Sequence, residues 1–192
     1  MSNFKRGVTK VTDVFDPKTF KMMDEESCSK IECTETEWRV NKTNWSANSP
    51  YISNYGQAGT IITTPVSDTV KQLMVAAMAE HINVELCDLS TNFNHTAMFR
   101  SAFIPWHTDT HCDIAITFYF QDTDPNMGGL YLYSDTEKDE STFYLDEDVK
   151  INAISPRKNT MLLQHHCMHS VSALTPMTPV RRSIQAFVRF DR

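Results

Sequence analysis

From about residue 96 onward the chain is written in short segments dense in β-branched and aromatic residues, each closed off by Pro, Gly, Asn or Asp. Ile114 to Phe120, Leu130 to Tyr133, Thr160 to Gln164 and Ser183 to Phe190 are of this kind, and their length and composition are those of strands rather than helices. A strand cannot bury an apolar face alone, so these segments must pair into sheets, and their spacing predicts a sandwich or jelly roll. The first half supplies the cover. From Asp68 onward Val70, Leu73, Met74, Ala77, Met78, His81 and Ile82 recur every three or four positions. With Ser67 or Asp68 capping its start, this predicts an amphipathic helix whose apolar stripe includes His81 as a core histidine. A Pro in the first turn and the apolar Phe15, Phe20 and Met23 predict another helix over Asp16 to Glu26. Residues 27 to 66, dense in Ser, Thr, Asn, Gly and Pro, predict loops with short strands. At 192 residues the chain fits one domain, 1–192. Residues 1–95 give helical and loop support and the first strands, and 96–192 the sheet-forming core.

Composition excludes several function classes. The five glycines, at 7, 56, 59, 128 and 129, cannot be arranged as a dinucleotide fingerprint, a Walker A loop or a G-x-S-x-G elbow. Five cysteines without C-x-x-C spacing argue against a disulfide framework or a structural zinc module. Lys plus Arg is 18 against 24 for Asp plus Glu, a net charge of −6, which disfavours a nucleic-acid partner. No apolar stretch follows Met1 to Arg6, and the longest strictly apolar run, Leu73 to Ala79, is far short of a bilayer span. The expectation is a soluble, cytoplasmic chain with no membrane partner, in which the sequons at Asn41, Asn44 and Asn94 are chance matches. The acidic stretch at 134 to 148 reads as a solvated loop or hairpin.

The residues that carry chemistry lie in the second half. His107-Thr108-Asp109 places a nitrogen and an oxygen donor at i and i+2, which share a face of a strand. His169, sixty residues further on, can supply a third donor from a facing strand. Two imidazoles and one carboxylate suit Fe(II) and leave coordination positions open for reactants. The triplet alone says little, because 7 His and 14 Asp give about half a match by chance in a chain of this length. Its setting says more. A strand ending in Tyr119 follows it, then the turn Gly128-Gly129, then His169-Ser170-Val171, then Arg181-Arg182-Ser183.

That order resembles the Fe(II)/2-oxoglutarate-dependent dioxygenases, specifically their compact prolyl-4-hydroxylase-like branch, over residues 95 to 190. The resemblance implies a mainly β fold: a double-stranded β-helix (jelly roll) core with supporting N-terminal helices, residues 96–192 being catalytic. It makes His107, Asp109 and His169 the iron ligands. It places Tyr119 and Arg181 on the far carboxylate of 2-oxoglutarate, with Ser183 adding a hydrogen bond. A guanidinium grips a carboxylate at two points, and strand parity puts Arg181 and Ser183 on one side and Arg182 on the other. Gly128-Gly129-Leu130 matches the family's G-G-x-L. Asn159 stands where the family usually has glycine, and Asn tolerates the left-handed backbone better than other side chains.

A second triplet, His111-Cys112-Asp113, has the same parity. Asp109 lies ten residues before Tyr119 and Asp113 only six, and the family's loop matches the longer spacing, so His107 and Asp109 are preferred and His111 becomes a polar neighbour. His165 and His166 flank a strand end. The spacing of His107 and His111 fits H-E-x-x-H, but Thr-Asp-Thr between them and Pro105 before them argue against a helix. A cupin usually has His at i and i+2, where this chain has Asp109. Phe99, Phe103 and Trp106 read as core packing beside a strand rather than an entrance. The resemblance implies Fe(II), 2-oxoglutarate and O2 as reactants. The implied activity is hydroxylation of an unactivated C–H bond in a small molecule or peptide side chain, with release of succinate and CO2. The competing readings are a non-catalytic jelly-roll ligand-binding module and a cupin-like metal oxygenase that uses no 2-oxoglutarate.

Overall fold

The computed structural model describes residues 7–32, 39–40, 61–82, 87–88, 93–109, 112–134, 149–165 and 167–190. In chain order the elements are β1 (Gly7–Thr12), α1 (Pro17–Glu32), β2 (Arg39–Val40), β3 (Ile61–Pro65), α2 (Asp68–Ala79), β4 (Cys87–Asp88) and β5 (Asn94–Met98). Then come β6 (Ile104–His107), β7 (Ile114–Tyr119), β8 (Tyr131–Ser134), β9 (Asn152–Ile154), β10 (Thr160–His165), β11 (Met168–Val171) and β12 (Arg181–Phe190). The strands form two antiparallel sheets, the layers of a jelly roll. The larger is ordered β1-β10-β7-β12-β5-β3-β2, with β4 added against the end of β12, and the smaller β6-β11-β8-β9. No described helix is long and apolar enough to cross a membrane.

Alternation along the central strands of the larger sheet separates two cores. Ile114, Ile116 and Phe118 of β7, Met161 and Leu163 of β10, and Ile184, Ala186 and Val188 of β12 point outward, onto Met23 of α1 and Val70, Met74 and Met78 of α2. The opposite parity points inward. Tyr119, Leu162 and Met98 there meet Ile104, Tyr131 and Val171 of the smaller sheet. β7 and β12 run side by side from Ser183 opposite Tyr119 to Val188 opposite Ile114, so any polar side chain of that inward parity is delivered to the space between the sheets.

The helix expected from Asp68 starts there, with Ser67 accepting from the Val70 N–H at 3.2 Å. It ends at Ala79, so His81 lies beyond its last turn and is exposed; His81 is not the core histidine that the periodicity suggested. The first helix runs six residues past its expected end, to Glu32, and its N-terminus is capped by Asp16, which accepts from the N–H groups of Lys18 and Thr19. Asn159 has φ 55°, and its amide accepts from the Phe15 N–H and donates to the Phe15 carbonyl. Its left-handed turn thereby ties β10 to the lead-in of α1. Gly128 and Gly129, at φ 77° and 74°, are required in two senses: a Cβ on Gly128 would lie 1.9 Å from the Ala173 carbonyl oxygen.

One buried polar cluster joins both helices to the sheet. Glu26 of α1 accepts from the backbone N–H and hydroxyl of Ser67 at 2.9 and 2.6 Å, and from His95 Nε2 of β5 at 2.9 Å. Burial would raise the Glu26 carboxyl, but the bonds from Ser67 and His95 outweigh it and hold the group below its ordinary range. Replacing Glu26 with Leu leaves three donors without an acceptor. We expect Glu26→Leu to lower stability by about 1–3 kcal/mol, measured as a fall in the urea midpoint; an unchanged midpoint would contradict this account of helix docking.

Candidate metal centre

β6 and β11 are antiparallel neighbours in the smaller sheet, and their register sets His169 directly opposite His107. The two rings lie 4.0 Å apart, centroid to centroid. Asp109 follows the end of β6 and reaches back between them, with one carboxylate oxygen 3.4 Å from His107 Nε2 and the other 3.5 Å from His169 Nε2. Among the described residues these three form the group whose donor atoms converge, all within 4.8 Å of one another.

Hydrogen bonding on the far side of each ring decides what the near side offers. His107 donates from Nδ1 to the Pro105 carbonyl at 2.7 Å, and His169 Nδ1 lies 3.2 Å from the Cys167 carbonyl. A carbonyl can only accept, so these contacts favour a proton on Nδ1 and a lone pair on Nε2; for His169 this also requires that the Gln164 amide, 2.8 Å from Nδ1, turn its oxygen toward the ring. Two ring lone pairs then face a carboxylate at 3.4 to 3.5 Å, an arrangement that repels itself until a cation lies among the donors. The donor set therefore fits a divalent transition metal, and two imidazoles with one carboxylate is the set that non-haem Fe(II) oxygenases use. Burial and the neighbouring His107 push His169 down to about 3, against the opposing pull of Asp109, so the ring stays neutral and able to ligate at any ordinary pH. Cys112 stays a thiol beside the site, because burial and then the Asp109 charge push it up to about 12.

The same cavity contains a second feature. Arg181, 5% exposed, lies with its guanidinium carbon 4.8 Å from the Tyr119 ring centroid, and Nη1 contacts Met98 Sδ at 3.0 Å. Its Nε and Nη2, the Tyr119 hydroxyl and the Ser183 hydroxyl are all buried without a hydrogen-bond partner. A buried cation and two hydroxyls left unpaired are costly unless an anion completes them. A carboxylate matches in charge and shape, since it accepts at two points from a guanidinium. Burial raises the Tyr119 phenol, with the Arg181 charge opposing, so it enters such a contact as an O–H donor. One cavity is thus lined by His107, Asp109 and His169 and by Tyr119 and Arg181, with Ser183 paired across from Tyr119.

Each expected site residue can now be placed. His107, Asp109, His169, Tyr119, Arg181 and Ser183 come together between the sheets. Arg182 points the other way, pairing with Asp24 of α1 at 2.6 Å and lying over Phe120. Asp113 accepts from the Phe190 N–H at 2.9 Å, which turns it toward the end of β12. His165 ends β10 opposite Gly7. His111, His166 and the stretch 135–148 lie outside the described residues. Tyr131 and Gln164 are among the cavity residues that the sequence did not single out. Gln164 has the inward parity of Leu162 on β10, and Tyr131 follows the Gly128-Gly129 turn by two positions, but neither side chain carries a motif.

The depressed His169 ring links the site to stability. Its folded value of about 3 lies below the ordinary 6.5, so between those limits the unfolded chain takes up a proton that the folded chain refuses. Stability is then full above the ordinary value and falls as the pH drops below it, by up to about 1.4 kcal/mol per pH unit. Denaturation midpoints in chelator from pH 7.5 to 5 should show this fall, and His169→Gln should flatten it; equal slopes would contradict the assigned burial.

No family model matches the sequence, and neither does any curated protein. Solved structures do match over almost the whole chain. The non-haem α-ketoglutarate-dependent epimerase SnoN from nogalamycin biosynthesis aligns over 97% of this chain and 79% of its own, at TM-score 0.70 and 15% identity. A prolyl-4-hydroxylase from Pseudomonas putida aligns over 97% and 94%, at 0.63 and 13%. A prolyl hydroxylase from Trichoplax adhaerens, solved with a hypoxia-inducible-factor peptide fragment, aligns over 97% and 84%, at 0.69 and 11%. At such identities the likeness is one of fold. The chain has the jelly-roll fold of the 2-oxoglutarate and Fe(II) oxygenases, including those that hydroxylate proline.

Proposed function

We propose that the protein is an Fe(II)- and 2-oxoglutarate-dependent dioxygenase that hydroxylates an unactivated C–H bond of a peptide side chain or small molecule. Substrate C–H, O2 and 2-oxoglutarate become the alcohol, succinate and CO2. The observation that carries this reading is the meeting, in one cavity, of three convergent metal donors with an unpaired Arg-Tyr-Ser cluster. A metal site alone suits many reactions, and a carboxylate cradle alone suits a binding protein. Their combination fits a dicarboxylate whose one end is held by the protein and whose keto-acid end faces the metal.

In this reading His107, Asp109 and His169 would hold the iron, a three-residue set that suits Fe(II) in oxygenases. Bound Fe(II) supplies the reduction of O2 coupled to decarboxylation of the keto acid. The chain supplies placement. Arg181 and Ser183 fix the far carboxylate, Tyr119 donates its O–H to it, and the strand register sets how far that end lies from the metal donors. Ile104, Tyr131 and Val171 give the space between the sheets an apolar wall beside its polar groups, which strengthens the charge contacts made there. The neighbours support the range of substrates considered, since one was solved with a peptide and SnoN with nogalamycin RO.

Succinate released from 2-oxoglutarate, followed with Fe(II) and ascorbate across a panel of prolyl peptides and small molecules, tests the proposal. His169→Ala and Asp109→Ala should abolish metal-dependent release. Arg181→Met should raise KM for 2-oxoglutarate on the order of a hundredfold, since it removes one partner of a buried charge pair. Turnover retained in His169→Ala would overturn the assignment, and an unchanged KM in Arg181→Met would leave the metal but remove the cosubstrate.

A further inference from the structure

His169 is contacted on its Nδ1 side by a second residue. Gln164 is 5% exposed on β10, and its side-chain amide bridges two groups. As placed, its Nε2 lies 2.8 Å from His169 Nδ1 and its Oε1 accepts from the hydroxyl of Tyr131. Tyr131, 3% exposed, stacks its ring on the His169 imidazole at 5.7 Å and 19°. Residues from β8, β10 and β11 therefore meet around one imidazole. The corresponding nitrogen of His107 faces the Pro105 carbonyl, which is an acceptor in every state.

A primary amide differs from a carbonyl in one respect that matters here. A half-turn about its last bond exchanges an acceptor for a donor while the heavy atoms keep their places. With the amide NH2 toward His169, the ring must offer a lone pair at Nδ1 and carry its proton on Nε2, where it cannot bind a metal. With the amide oxygen toward His169, the proton sits on Nδ1, both Gln164 and the Cys167 carbonyl accept it, and Nε2 is a free lone pair aimed at the Asp109 side of the cavity. The freed NH2 can then donate to the Tyr131 oxygen, which burial holds as a neutral phenol able to accept as well as donate.

We propose that Gln164, with its amide oxygen turned toward His169, is a positioning residue that fixes His169 in its metal-binding tautomer, and that the Tyr131 hydroxyl anchors the far end of the amide. The inference rests on the metal-centre reading above and adds two residues to it. Outer partners that accept the free N–H of a ligating histidine typically carry 10- to 100-fold in metal affinity, so the effect is large enough to measure with metal alone.

Binding of Co(II), read by its visible absorption without 2-oxoglutarate or O2, tests this. Gln164→Met keeps length and bulk but offers no acceptor, and should weaken Co(II) binding 10- to 100-fold. Gln164→Glu offers acceptors at both ends, one for Nδ1–H and one for the Tyr131 O–H, and should bind Co(II) at least as tightly as the natural chain. Tyr131→Phe releases the far end of the amide and should give a smaller, several-fold loss. If Gln164 only fills space, the order reverses, because Met fits an apolar site better than a buried carboxylate. Unchanged binding in Gln164→Met, or binding by Gln164→Glu weaker than that of the natural chain, would overturn the proposal; the Glu comparison decides even if the Met variant does not fold. Failure of the natural chain itself to bind Co(II) would instead overturn the metal centre.

Discussion

The two-residue period of β12 distributes the chemistry of this molecule. Arg181 and Arg182 are neighbours in sequence and identical in kind, yet one enters the space between the sheets and the other reaches Asp24 on the outer helix. The pairing of β12 with β7 fixes that choice, because a slip of one residue would drive the apolar Ile184, Ala186 and Val188 into the polar cavity and pull Ser183 and Arg181 onto the helices. The outer helical core is therefore what holds the inner site in register. Stability and site geometry are properties of the same strands.

The inner face is the costly one. A guanidinium with two unpaired nitrogens, two unpaired hydroxyls and a carboxylate facing two imidazoles are each unfavourable in a buried space. They persist because the rest of the fold carries them: the outer core is largely apolar, Glu26 bridges α1, α2 and β5, and Asn159 closes the turn before β10. The cost falls on the groups that a cation and a carboxylate ligand would neutralise. The same reasoning separates Arg181 from Arg182. The outer arginine has its carboxylate within the chain, whereas the inner one has a ring face and a thioether, neither of which carries a charge.

Much of this was legible in the sequence, and the reasons are physical. β7, β10 and β12 announce themselves because strands buried on both faces must be apolar and β-branched almost without interruption, and α2 because its stripe repeats every three or four residues. The H-x-D triplet, the second His and the Arg could be connected because each bears its own chemistry. What escaped was whatever depends on a distant partner. β1 is six residues whose pairing strand lies some 150 positions away. β5 reads as Asn-His-Thr-Ala-Met and is a strand only because β3 and β12 flank it. Glu26 and His95 meet across 69 residues, and Tyr131 and Gln164 across 33. His81 failed in the opposite direction: the periodicity ran on after the helix had stopped at its C-cap.

On the proposed function, the three donors and the Arg-Tyr-Ser cluster serve one bound pair, a metal and a 2-oxo acid. Anaerobic titration of the protein with Fe(II) and then 2-oxoglutarate, followed by visible absorption, addresses both halves together. A weak visible charge-transfer band should appear only when both are present and saturate at one equivalent of each. Binding of Fe(II) with no such band on adding 2-oxoglutarate would contradict it.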